Sequence, residues 1–211
     1  MLDVTDLRAK RGESEVLRGL SLHVLRGERV AVHGPSGCGK TTLLLAVAGL
    51  VPVTSGQVTL NGVDVTRVPT HQRGVGMVFQ DDQLFPHFNV ADNVGYSLRV
   101  AGVSKRQREI QVNDWLRRVG LDGFAARSVD GLSGGEAKRV ALARTLAASP
   151  SVVLLDEPLT GLDDALHERL LGDLRALFDE LQTTVVMVSH DRAEASALAH
   201  RSVEFNQLMR D

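Results

Sequence analysis

The stretch at residues 30–42, VAVHGPSGCGKTT, leaves few folds open to the chain around it. Val30 to Val32 is a short apolar run that reads as a buried strand. It gives way to Gly34, Pro35, Ser36, Gly37, Cys38, Gly39, Lys40, Thr41 and Thr42, and then to a leucine-rich segment that predicts a helix over 42–48, ended near Gly49. The spacing is GxxxxGK[ST], in which glycines let successive backbone N–H groups turn inward around a phosphate while the following helix presents its positive end. In that arrangement Lys40 reaches the β- and γ-phosphates and Thr41 offers its hydroxyl to Mg²⁺. A chance glycine turn before a helix is the plain alternative. The strand before and the helix after are what favour the phosphate loop.

A chain of 211 residues suits one domain, or one core with a subdomain. Lys and Arg number 24 against 26 Asp and Glu, a net charge of −2, so no strong overall field points to nucleic acid or anionic lipid. The longest apolar run, 43–51, falls short of the ~20 residues that span a bilayer, and the start Met1-Leu2-Asp3-Val4 lacks the basic-then-apolar layout of a signal peptide. A cytosolic protein is expected. Cys38 is the single cysteine, which excludes an internal disulfide and agrees with a reducing compartment. Inside the phosphate loop it is either a small filler or a reactive thiol.

Along the chain, Leu2 and Val4, then Leu20, Leu22 and Val24, alternate with polar neighbours as half-buried antiparallel strands do. Asn61-Gly62 joins apolar runs at 57–60 and 63–65 and predicts a tight hairpin. The run at 75–79 stops at Gln80, where open α/β sheets bind ligands, although a surface glutamine is the simpler reading of that residue alone. Residues from about 86 to 148 read as mainly helical, inserted between two strands. Asn89 is placed to cap one helix, and Ser104 with Gln107 to box the start of another.

Ser133-Gly134-Gly135-Glu136 opens a helix over 133–147 with a second capping box. Two glycines in the first turn cost about 1 kcal/mol each relative to alanine. Unhindered amides and the Ser133 hydroxyl would make an anion site, with an ordinary cap as the alternative. The buried run 152–155 ends in Asp156-Glu157, adjacent carboxylates that need a cation or donors. Asp156 is the expected Mg²⁺ ligand and Glu157 the group that orients and deprotonates a water. Asp163 and Asp164 precede an amphipathic helix whose stripe, Leu166, Leu170, Leu174, Leu177, Phe178 and Leu181, is core packing. A strand over 184–189 delivers His190, the third polar group at such a strand end, read as a γ-phosphate contact. Asp191 with Glu194 is expected to cap a helix through Ala199, and 201–211 to be a poor strand with a short tail.

With these pieces in order, GPSGCGKTT, VFQ ending at Gln80, LSGGE at 132–136, VVLLDEP at 152–158, LTGLD at 159–163 and SH at 189–190, the chain resembles the ATP-binding-cassette (ABC) ATPases over almost its whole length. The resemblance implies an α/β fold: a P-loop NTPase (RecA-like) core with an antiparallel β subdomain, over 1–85 and 149–211, and an inserted α-helical subdomain over 86–148. It also implies a head-to-tail pair of cassettes, as a homodimer or with a paired cassette. ATP would then be held by residues 34–42 of one copy and by Ser133, Gly134 and Gly135, with Glu136 beside them, of the other. Gln80 would contact Mg²⁺ and the attacking water, Glu157 would be the general base, His190 would hold the γ-phosphate, and Asp163 would sit in a loop linking the two sites. Lys40, Thr41 and Asp156 would complete the catalytic and metal set, and catalysis would be mainly positioning and electrostatics.

The stretch VGMVFQDDQLFPHFNVADNV is similar to cassettes of bacterial importers for small solutes. That similarity implies a membrane permease docking between Gln83 and Phe88, a solute-binding protein in the complex, and residence on the inner face of the cell membrane. Phe85 and Phe88 packing on the core is the competing reading. No nucleic acid partner is expected. Three departures stand out. Arg11 occupies the place where an aromatic usually stacks on adenine, Glu136 replaces the usual Gln, and the sequence stops soon after its last helix, so regulation by a C-terminal domain of the kind some importer ATPases carry is not expected. The expected reaction is ATP and water to ADP and phosphate, coupled to import. A non-transport ABC ATPase or a weakly hydrolysing regulator is the alternative.

Overall fold

The computed structural model describes residues 1–161 and 163–209, with Asp164 described by its backbone alone. Leu162 of the LTGLD segment, the Asp164 side chain and residues 210–211 of the tail lie outside the described residues. The chain forms two compact units, one of Met1–Met77, Ser151–Glu157 and Leu181–Asp211, the other of Val78–Pro150 and Pro158–Glu180.

In the first unit, β1 (Leu2–Arg11) and β2 (Ser14–Val24) form a long antiparallel hairpin. β4 (Val53–Leu60) and β5 (Val63–Asp64) extend it in the order β2-β1-β4-β5. Asn61 and Gly62 both take positive φ, 50° and 82°, the twist that a two-residue hairpin turn demands. The second sheet has the order β6-β7-β8-β3-β9, with β6 (Val75–Val78), β7 (Val152–Asp156), β8 (Val185–Val188), β3 (Arg29–His33) and β9 (Arg201–Glu204), and β7, β8, β3 and β9 run parallel. β7 and β8 are buried throughout, which is why they read as unbroken apolar runs. Val188 pairs with both Val32 and Asp156, so Gly34, Glu157 and Ser189 follow just beyond the C-terminal ends of neighbouring central strands. α1 (Lys40–Ala48) and α7 (Arg192–Leu198) complete the unit.

The poor strand expected at the start of 201–211 is present as β9, and its pairing makes it regular. β9 pairs with β3 from Val30↔Arg201 to His33↔Glu204, and Phe205 beyond it is fully buried. Its own residues alternate weakly because it is an edge strand, so only pairing with β3 defines it.

The second unit holds α2 (Val90–Val94), α3 (Tyr96–Val100), α4 (Lys105–Arg118), α5 (Gly134–Ala147) and α6 (Asp164–Leu181). The Asn89 side chain caps α2 by accepting from the Asp92 N–H. Ser104 accepts from the Gln107 N–H, but the Gln107 side chain returns to the serine hydroxyl and not to its backbone, so the expected box is half formed. Leu170, Leu174, Leu177 and Phe178 of the α6 stripe are buried, and Arg139 and Arg118 pair with Asp173 and Glu180 of the same helix at 2.6 Å each. Among the described residues no helix is long and apolar enough to cross a membrane.

Candidate functional site

The loop between β3 and α1 is shaped by what its glycines permit. Gly39 stands at the N-cap of α1 with φ 117°, and a Cβ there would lie 2.6 Å from Val16 Cγ1 and 3.0 Å from the Phe205 ring. Both backbone and space therefore require glycine. No side chain among the described residues caps α1, so its first-turn N–H groups remain for a ligand. Lys40, buried to 6%, arches back over the loop and donates from Nζ to the Gly34 and Pro35 carbonyls at 2.7 and 2.9 Å. Arg11, Ser36, Gly37, Gly39, Lys40, Thr41, Thr42 and Glu157 share one cleft of about 240 Å³ with Val16.

The acidic strand end meets this loop. Thr41 donates its hydroxyl to Asp156 Oδ1 at 3.0 Å. Burial pushes the Asp156 carboxyl up from its ordinary value; the Glu157 charge adds to this, and the Thr41 hydrogen bond and Lys40 oppose it. A half-paired buried carboxylate beside a threonine hydroxyl is a site that gains by taking up a cation. Glu157 takes φ 47°, uncommon for a residue with a side chain, while its N–H bonds the Val188 carbonyl at 3.0 Å. Its carboxylate stands 3.4 Å from His190 Nδ1, and His190 is 58% exposed. The first unit thus assembles Arg11, the 34–42 loop, Asp156, Glu157 and His190.

The turn after β8 departs from the reading of Glu194 as a cap. Asp191 alone caps α7, accepting from the Ala193 and Glu194 N–H groups. The Glu194 side chain instead accepts from Ser189 Oγ at 2.7 Å, both residues being buried. The reason is burial: at 2% exposure the carboxylate lies against a hydroxyl rather than at a solvated helix end.

The second unit carries Gln80, the 133–136 turn and Asp163. Ser133 and Glu136 form the full capping box, with Glu136 accepting from the Ser133 N–H at 2.7 Å and the Ser133 hydroxyl from the Glu136 N–H at 3.3 Å. That backbone hydrogen bond holds the Glu136 carboxyl below its ordinary 4.5. A lowered folded value means stability present above about pH 4.5 and lost as pH falls through the folded pKa. We therefore expect Glu136→Ala to lower the melting temperature at pH 7 and the gap from wild type to shrink in acid, read by thermal denaturation at several pH values. Gly135 is buried, and a Cβ on it would approach Leu166 Cδ2 to 2.7 Å. Helix packing against α6 thus accounts for one of the two glycines without any ligand. Asp163 accepts from the Leu166 N–H at 3.0 Å and so caps α6.

Sequence reasoning missed what grips the loop after β6. From α5, the helix that begins at Ser133, Lys138 donates to the Gln80 carbonyl at 3.3 Å, and Arg144 donates to the Asp82 and Gln83 carbonyls at 3.0 and 2.8 Å. Burial raises the Asp82 carboxyl, and Lys138, 3.7 Å away, opposes it. Asn93, fully buried, accepts from the Phe85 N–H and donates to the Phe85, Phe88 and Asn89 carbonyls. These latches leave Phe85, Phe88 and Tyr96 as a ring cluster with Arg99 over two of the rings, and Phe85 and Tyr96 stay exposed. No local pattern announces the Lys138 and Arg144 contacts, because each joins a side chain to backbone carbonyls 58 to 62 residues away.

The chain matches the family described as ABC transporter over residues 17–160. It is 51% identical over 203 residues to the Fe(3+) ions import ATP-binding protein FbpC of Streptomyces avermitilis, covering 96% of this chain and 59% of that protein. It is 41% identical to the sn-glycerol-3-phosphate import ATP-binding protein UgpC 2 of Agrobacterium fabrum, over 98% of this chain and 55% of that one. The chain therefore spans a little over half the length of these curated relatives. Among solved structures it resembles the dimeric post-hydrolysis state of the ATP-binding cassette MJ0796 bound to ADP and Pi, with a TM-score of 0.84 and 30% identity over 97% of this chain and 94% of that one. With its phosphate loop, acidic strand end and histidine gathered at the C-terminal ends of three neighbouring strands, and a family match over more than half its length, this chain belongs to the ABC transporter family.

Proposed function

We propose that this chain binds and hydrolyses ATP to drive the import of a small solute through a separate membrane permease. The observation that carries the reading is the Glu157–His190 pair, 3.4 Å apart, with Glu157 lining the same cleft as Lys40 and the first turn of α1. In this scheme the loop and Lys40 hold the β- and γ-phosphates, with Arg11 against the base. Glu157 takes a proton from the attacking water, oxygen bonds to the γ-phosphorus, and the bond to the β-bridging oxygen breaks to release ADP and phosphate. His190 contacts the γ-phosphate. Mg²⁺, held by the Thr41 hydroxyl and Asp156 with phosphate oxygens, would neutralise the developing charge. Gln80 would contact the metal and the water, and Ser133, Gly134 and Gly135 of a second copy or a paired cassette would close the site, with Asp163 in the linking loop. The ring cluster between Gln83 and Phe88 receives the permease, on the inner face of the cell membrane, and a solute-binding protein supplies cargo.

Glu136 favours a second reading, slow hydrolysis, since its carboxylate already accepts the Ser133 N–H and adds negative charge where a phosphate would bind. Glu136→Gln keeps the cap and removes the charge, so tighter MgATP-dependent association of two copies is expected, measured by light scattering. Binding itself is tested at Cys38. Its sulfur packs 3.3 Å from the position a Cβ on Gly34 would take, within the loop's own fold. Alkylation there is expected to abolish ATP binding, and saturating ATP to slow the alkylation at least about tenfold by occluding the thiol. Equal labelling with and without ATP would count against the site.

A further inference from the structure

His190 is exposed on a three-residue turn, yet it has to meet a phosphate within hydrogen-bond distance. What sets its position is beneath it. Ser189, 1% exposed, donates its hydroxyl to Glu194 at 2.7 Å and accepts from the Asp191 N–H at 3.0 Å. Glu194, 2% exposed, has its own N–H held by Asp191 Oδ1 at 3.3 Å. The residues on either side of His190 are thus tied to the first turn of α7, while Val188, just before the turn, holds the Glu157 N–H. The backbone that carries the histidine and the backbone that carries the carboxylate share one strand end.

We propose that Ser189 and Glu194 are positioning residues: their buried hydrogen bond fixes the turn that aims His190 at the γ-phosphate, beside Glu157. The inference rests on the hydrolytic reading above, in which His190 contacts the phosphate. In this scheme neither side chain touches substrate; the pair acts through the backbone of the turn that carries the histidine. Its signature is therefore non-additivity. Removing the bond is expected to matter only while His190 is present.

The test is steady-state ATP hydrolysis by the whole chain for wild type, Ser189→Ala, His190→Ala and the double variant, each with its melting temperature. Ser189→Ala is expected to lower kcat about tenfold with KM for ATP within about twofold, and the double variant to match His190→Ala within about twofold. Ser189→Thr, which keeps the hydroxyl, is expected to restore most of the rate. Glu194→Leu is expected to mirror Ser189→Ala, and if it fails to fold, the serine pair decides. Wild-type turnover in Ser189→Ala, or losses that multiply in the double variant, overturn the proposal. A separate readout, the NMR signals of the His190 imidazole, should move on Ser189→Ala, and unmoved signals also overturn it. A wild-type chain that hydrolyses no ATP would instead defeat the hydrolytic reading, with the imidazole signals still reporting on the pair.

Discussion

Glu157→Gln is expected to lower kcat for ATP hydrolysis by at least about a hundredfold while ATP affinity is retained. The substitution keeps the shape of the side chain and removes its basicity, so the loop contacts of Lys40 and Thr41 are unaffected. The backbone at this residue is held at φ 47° by the Val188 carbonyl, so the amide occupies the same place facing His190. Holding a non-glycine residue there costs on the order of 1 kcal/mol, a strain of the kind that accompanies a fixed reacting group. Two further consequences follow from trapped ATP. MgATP should stabilise a paired form of the variant, seen as a heavier species by size exclusion with light scattering, and the wild type should show it only briefly. Phosphate release at the wild-type rate would remove Glu157 from the role of base.

Arg73→Met is expected to destabilise the fold by about 3 kcal/mol, lowering the melting temperature by roughly 6–12 °C, with the cost falling on the helix that follows the phosphate loop. Arg73 is 7% exposed. It donates from Nη1 to the Ala46 and Val47 carbonyls at the end of α1, from Nη2 to the Thr66 carbonyl at 2.7 Å and from Nε to the Val68 carbonyl at 2.8 Å. Those α1 carbonyls are among the last of the helix, where the macrodipole is negative, so the charge is favourably placed. Methionine fills the volume but takes this donor from the Val47, Thr66 and Val68 carbonyls, while Ala46 keeps the Gly49 N–H. Gly49 makes room for this arrangement, since a Cβ there would stand 2.4 Å from Arg73 Nε. Circular dichroism during heating reads the loss, and an unchanged melting temperature would show that water replaces the guanidinium at no cost.

Much of this molecule was legible in its order of residues because the relevant energies are local. The strand, glycine loop and helix at 30–48, the Asn61-Gly62 turn, the Asn89 cap and the Ser133–Glu136 box all depend on partners within a few residues, where side-chain type alone selects the backbone. The apolar runs that end at Asp156 and Val188 likewise announced buried parallel strands. Tertiary structure decided the rest. Arg11 enters the cleft of the phosphate loop, β9 closes the sheet edge beside β3, Arg73 caps a helix 26 residues earlier, and Glu194 turns inward to Ser189 instead of capping. A buried charge or an edge strand has no local preference of its own. Its place is set by which distant carbonyls, hydroxyls and strand edges the fold leaves without a partner, and that balance exists only once the chain has closed on itself.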